Sequence, residues 1–179
     1  MSRIYWDTML FIYWLEDNPK YAKRVDAIYH RMQTRRDELL TSAFTFGEVL
    51  AGVHRKSAAD RAQEVRQQLN RIVAEVVPFT VETADHYARI RGSLNLPLAD
   101  AIHLASAAQS GTDLFLTHDK RLLGKFVSGI QFLASFRTFY DVCGYAILIP
   151  RPSLRHSVYG KLTDSRSGNS CEDPPTIKL

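Results

Sequence analysis

Short runs of β-branched and aromatic side chains recur along this chain, each separated from the next by a segment with helical periodicity. Ile4-Tyr5-Trp6, Leu39-Leu40-Thr41-Ser42, Glu75-Val76-Val77-Pro78-Phe79, Asp113-Leu114-Phe115-Leu116-Thr117 and the run from Val127 to Phe132 read as strands. Between them, apolar residues return at the spacing of a helix face. Met9, Leu10, Ile12 and Tyr13 mark a short helix closed by Asp17-Asn18-Pro19. Tyr21, Val25, Ile28, Tyr29 and Met32 mark a second, from Lys20 to about Arg36. Others are expected from Thr45 to about Lys56 and over 58–74, 80–94 and 97–109. Strands that alternate with helices predict an α/β fold around a parallel sheet.

At 179 residues, with 45% of them hydrophobic, the chain has material for one domain and an appendage. Residues 1–134 read as the domain. Residues 135–179 read as a C-terminal extension, partly disordered or foreign to the domain, although Phe139 to Pro150 has the look of one more strand. No window approaches the ~18–20 apolar residues of a membrane span, and no secretory signal opens the chain. The cytoplasm is therefore the expected compartment. Cys143 and Cys171 form no Cys-x-x-Cys or Cys/His cluster, which argues against zinc and against a disulfide framework. A formal net charge of +4 is too mild to identify a polyanion partner by itself.

Four acids stand out by position. Asp7 comes where the first strand stops, and in an open parallel sheet ligands sit outside the carboxyl ends of the strands. Asp119 follows the Asp113–Thr117 strand in the same way. Asp100 lies in the first turn of the most apolar helix, where a lone buried carboxylate is costly. Glu48 sits near the start of a helix, and Gly52 one turn on suggests that something approaches that face. Each acid also has a plain reading. Asp7 suits an N-cap, Glu48 and Asp100 suit the positive end of a helix dipole, and Asp119 suits a turn. Jointly they fall on one edge of the sheet. Like charges gathered there repel, so a cation is expected among them, and an all-oxygen ligand set suits Mg²⁺ or Mn²⁺.

The motifs D-T at 7–8, E-V-L-A-G at 48–52, L-A-D-A-I-H-L-A-S-A at 98–107 and L-T-H-D-K-R at 116–121 resemble those of PIN-domain ribonucleases. Within that family they are similar to VapC toxins of toxin–antitoxin pairs, over about residues 2–134. Met9 departs from the small polar residue usual at its position. The resemblance implies a PIN-like three-layer sandwich, with a central, mostly parallel sheet of four to five strands flanked by helices. It implies that Asp7, Glu48, Asp100 and Asp119 form a catalytic Mg²⁺ (or Mn²⁺) site of one or two ions, with Thr8 and Thr117 as polar support. His118 is not expected to be a ligand.

The reaction so implied is hydrolysis of an RNA phosphodiester. Asp7 and Asp100 would be direct ligands, Asp119 would complete the site, and Glu48 would bind metal or act as general base. Arg89, Arg91, Lys120 and Arg121 are candidates for RNA phosphates, or simply a solvated face. Tyr5, Trp6 and Tyr13 are expected to pack rather than stack on bases. A structured RNA target (tRNA or rRNA), a cognate antitoxin and a homodimer follow from the same resemblance. The competing reading is a catalytically silent RNA-binding or scaffold module on the same fold. An aspartyl-phosphate enzyme finds less support, because position 9 holds Met rather than a second Asp.

Overall fold

A computed structural model describes residues 1–56 and 59–137. Five strands, β1 (Arg3–Trp6), β2 (Glu38–Ser42), β3 (Glu75–Val77), β4 (Thr112–Thr117) and β5 (Ile130–Ser135), form one sheet in the order β3-β2-β1-β4-β5. Every pairing is parallel. The crossovers are the helices α1 (Thr8–Leu15), α2 (Ala22–Arg35), α3 (Ala43–Lys56), α4 (Ala59–Ile72), α5 (Val81–Leu94) and α6 (Leu98–Gln109). This is the α/β sandwich expected.

The period of two along each strand sorts the core into two layers. Ile4, Trp6, Leu39 and Leu116 point to one face, where they pack with Leu10, Phe11, Val25, Val49 and Val65 of α1–α4. Tyr5, Leu40 and Phe115 point to the other, against Ile90 of α5 and Ala101, Leu104 and Ala108 of α6. Tyr5 and Trp6 are fully buried, as packing residues should be. Tyr5 stacks on Phe115, and Trp6 meets Phe11, Trp14 and Tyr29. Apart from Leu98, which is 59% exposed, the apolar residues of α6 lie buried or half-buried, as its composition predicts.

The last strand lies later than its sequence suggests. Val127 is buried but precedes a turn, and Gly129 at φ +95° interrupts the extended run before β5 begins at Ile130. Helix α3 also starts two residues earlier than its periodicity implies, because the Ser42 hydroxyl accepts from the Thr45 N–H (3.2 Å) at its entry. Residues 138–179, including the Phe139–Pro150 segment, lie outside the described residues.

Candidate active site

The strand order runs outward in one direction as β1, β2, β3 and in the other as β4, β5. The carboxyl ends of β1 and β4 are therefore the switch point, where an open α/β sheet leaves its crevice. Asp7 extends β1 by one residue, its N–H donating to Leu116 O (3.1 Å) across the strand pair. Its Oδ1 accepts from the Met9 N–H (3.0 Å), so Asp7 is indeed the N-cap of α1. The other oxygen, Oδ2, accepts from the Thr117 hydroxyl (2.5 Å). Thr117 is fully buried, and its oxygen also takes the Asp119 N–H (2.9 Å). One hydroxyl thus ties the acid that ends β1 to the acid that follows β4.

Asp119 caps a 3-10 turn at Lys120–Leu122, with Oδ1 accepting from the Arg121 N–H (2.8 Å). Asp100 reaches the same crevice from the first turn of α6. Burial raises its pKa, and the charges of Asp119 and Asp7 add to the effect, against the relief that Arg121 and His103 give. Asp100 therefore feels the two other carboxylates at the switch point. The Arg121 guanidinium spans two of the three. Its Nε bonds both oxygens of Asp119 (3.1 and 2.8 Å), and one terminal nitrogen bonds Asp119 Oδ2 and Asp100 Oδ2 (the latter 3.2 Å). Arg121 holds Asp119 below the usual carboxylate range, outweighing its partial burial.

Glu48 lies in the second turn of α3, not the first, so the helix dipole does not account for it. Its Oε2 accepts from the Thr8 hydroxyl (2.5 Å) and faces His103 Nε2 (2.9 Å). The far nitrogen of His103, Nδ1, stands 3.2 Å from the Tyr5 hydroxyl. Tyr5 has its hydrogen to give to Nδ1, which leaves Nε2–H to donate to Glu48, a tautomer assigned from this network. Burial pushes Glu48 up, but hydrogen bonds from His103 and Thr8 outweigh it, and its carboxyl ends lower than usual. His103 was not among the residues singled out in the sequence. The signal was available, because it lies three residues after Asp100 and so shares that helix face.

Of the basic candidates, Arg121 stands at the acids and Lys120 is exposed beside them. Arg91 turns away, donating to Leu96 O in the loop before α6. Among the described contacts neither Arg89 nor Arg91 bonds any of the four acids. His118 faces the Tyr13 hydroxyl and packs edge-on against Tyr21 and Phe136. Around Gly52, nothing described approaches nearer than Arg55, so the close approach expected there is not provided by the described part of the chain.

These side chains ring the crevice rather than close into a cage. Among the described residues, no three His, Cys, Asp or Glu side chains are grouped so as to hold one ion. The donor set nonetheless suits a hard divalent cation. Mg²⁺ keeps several waters and is bound through one or two carboxylates plus substrate phosphates. The raised Asp100 and the guanidinium lodged against it show a crevice that favours positive charge. The residues present fit the ion.

Fold and crevice together define an α/β protein with acidic side chains at its topological switch point. The PIN domain profile matches residues 4–125, and the chain belongs to that family, whose members are generally nucleases. Among solved structures, its fold is similar to a DNA-bound VapBC from Salmonella typhimurium (TM-score 0.61, 18% identity, covering 76% of this chain and 99% of that one). It is similar too to VapBC2 from Rickettsia felis bound to a promoter DNA fragment (TM-score 0.59, 14% identity, 74% and 98%). A third is a toxin–antitoxin complex from Klebsiella pneumoniae (TM-score 0.52, 20% identity, 71% and 94%). At these identities the likeness is one of fold. No curated protein matches the chain by sequence. Among the described residues no helix is long and apolar enough to cross a membrane.

Proposed function

We propose that this protein is a metal-dependent endoribonuclease, the toxin of a VapBC-type pair, acting on a structured RNA such as tRNA or rRNA. The observation that carries this reading is the line of contacts at the switch point, in which Thr117 links Asp7 to Asp119 and Arg121 links Asp119 to Asp100. Asp7, Asp100 and Asp119, with Glu48 at the side, would hold Mg²⁺ or Mn²⁺. When bound, the metal would activate a water and neutralise charge on the phosphodiester.

The remaining work belongs to the chain. Thr117 fixes the Asp7 carboxylate through Oδ2. Thr8 and His103 hold Glu48 Oε2, leaving Glu48 Oε1 as the lone-pair donor for a proton from the attacking water. Lys120 and Arg121 supply positive charge for the RNA backbone. Arg89 and Arg91, on α5 and without bonds to the acids, would serve only a distal stretch of RNA. The cognate antitoxin and a second copy of the chain are the partners this reading carries. Its support is the toxin–antitoxin character of proteins with this fold.

The test is cleavage of total RNA by the purified chain with Mg²⁺, Mn²⁺ or EDTA, beside Asp7→Asn and Asp100→Asn. Discrete fragments are expected with metal, with each substitution lowering the rate at least about a hundredfold while circular dichroism is unchanged. RNA binding without cleavage, indifferent to metal and to Asp7→Asn, would instead favour a silent binding module.

A further inference from the structure

The Arg121 guanidinium takes up lone pairs that a metal ion in this crevice would need. Both oxygens of Asp119 accept from it, and Asp119 Oδ1 also accepts from the Arg121 backbone N–H. Asp100 accepts from it as well, across 21 residues of sequence, and no other described side chain bonds both acids. We infer that Arg121 is a built-in competitor for the metal, lodged between Asp100 and Asp119, so that an ion using these two carboxylates must displace it. The inference rests on the metal-nuclease reading and adds a control element to the same site.

Three observations make the displacement feasible. First, the Arg121 side chain is 66% exposed, so it can swing into water without opening the core. Second, the bond from the Arg121 backbone N–H to Asp119 Oδ1 survives the swing, because only the side chain leaves. Third, one guanidinium against Asp7, Asp100 and Asp119 leaves the crevice with a deficit of positive charge. The bond to Asp100 is single and long for a charged pair, at 3.2 Å, so Arg121 holds that carboxylate only loosely. A divalent ion supplies twice the charge of Arg121 at the same place. Arg121 therefore keeps the acids apart and partly neutralised, and lowers metal affinity by the strength of its own bonds.

The experiment is Mn²⁺ binding to the full, metal-stripped chain, read by calorimetry and by the electron paramagnetic resonance signal of free Mn²⁺. The proteins compared are wild type, Arg121→Gln, Arg121→Lys, Lys120→Gln and Asp100→Asn. Lys120→Gln is the control for charge alone, since it removes one positive charge next to Asp119 without breaking a bond to it. Arg121→Gln should bind Mn²⁺ about tenfold more tightly than wild type, the effect of losing the charge-assisted bonds. Arg121→Lys, which keeps the charge but not the fork, should fall between. Lys120→Gln should shift the affinity by less than about threefold. If Arg121→Gln binds no more tightly than wild type, or Lys120→Gln gains as much, the competitor is overturned while Asp100-dependent binding keeps the metal site. If no protein binds Mn²⁺ in an Asp100-dependent way, the metal reading fails and the inference falls with it.

Discussion

Thr117 shows how much one small side chain arranges at this crevice. A buried hydroxyl has one hydrogen and two lone pairs, and here the hydrogen goes to Asp7 and a lone pair to the Asp119 N–H. Both acids are thereby held by one residue that lies 110 positions from Asp7 and two from Asp119. His103 does the corresponding work for Glu48, backed by Tyr5. On the α1 side of the crevice, Tyr13 faces His118 and packs on Tyr21 and Phe136. Burial, then the neighbouring Tyr21 and the charge of Asp7, push its hydroxyl from 10.0 up to about 12, against the pull of Arg137. A phenol whose pKa is raised by folding contributes stability that is whole below the unfolded value and lost as pH climbs through the folded one. The stability difference between wild type and Tyr13→Phe should therefore be flat below about pH 10 and change by about 12, with wild type losing ground. Urea unfolding at stepped alkaline pH checks this, and a constant difference would contradict the burial of that hydroxyl.

At the scale of elements, the turn into β5 carries the tightest constraint. Gly129 sits at φ +95°, and a Cβ there would lie 2.5 Å from Ala108 O on α6. Left-handed strain and a backbone clash combine, so Gly129→Ala should cost about 3 kcal/mol, seen as a lower denaturant midpoint with unchanged slope. A neutral result would mean that the turn re-forms without its contact to α6. Along the same amino edge of the sheet, Arg3 reaches the starts of nearby strands, its side chain bonding Glu38 (3.3 Å) and Glu75 (2.7 Å) while its backbone N–H donates to Asp113 (2.7 Å). These groups are partly exposed, so they set register more than they add stability. The helices and four of the five strands were legible from periodicity within a residue or two. The start of β5 was not, because Val127 is apolar and buried whether it extends a strand or anchors a turn.

For the whole molecule, the doubly wound order puts the ends of β1 and β4 side by side, where Asp7, Asp119 and Asp100 arrive from different elements and Glu48 is joined to the start of α1 through Thr8. Among the described residues, one core layer runs from Ile4 to the buried Phe136 and the other from Tyr5 to Ile130. A chain ending at Arg137 should accordingly fold, melt where the full chain melts, and keep its RNA cleavage. A large drop in melting temperature would show that residues 138–179 belong to the domain.

What the sequence determined by itself is local. The period of each element, the acid after β1 and after β4, and the carboxylate in the first turn of α6 can all be read from a few neighbouring residues, because backbone geometry acts over that range. The tertiary structure decided the strand order, the pairing of Glu48 with His103 across 55 residues, and the lodging of Arg121 between Asp119 and Asp100. Those outcomes depend on which faces bury together when the crossovers close, and no local pattern encodes that choice.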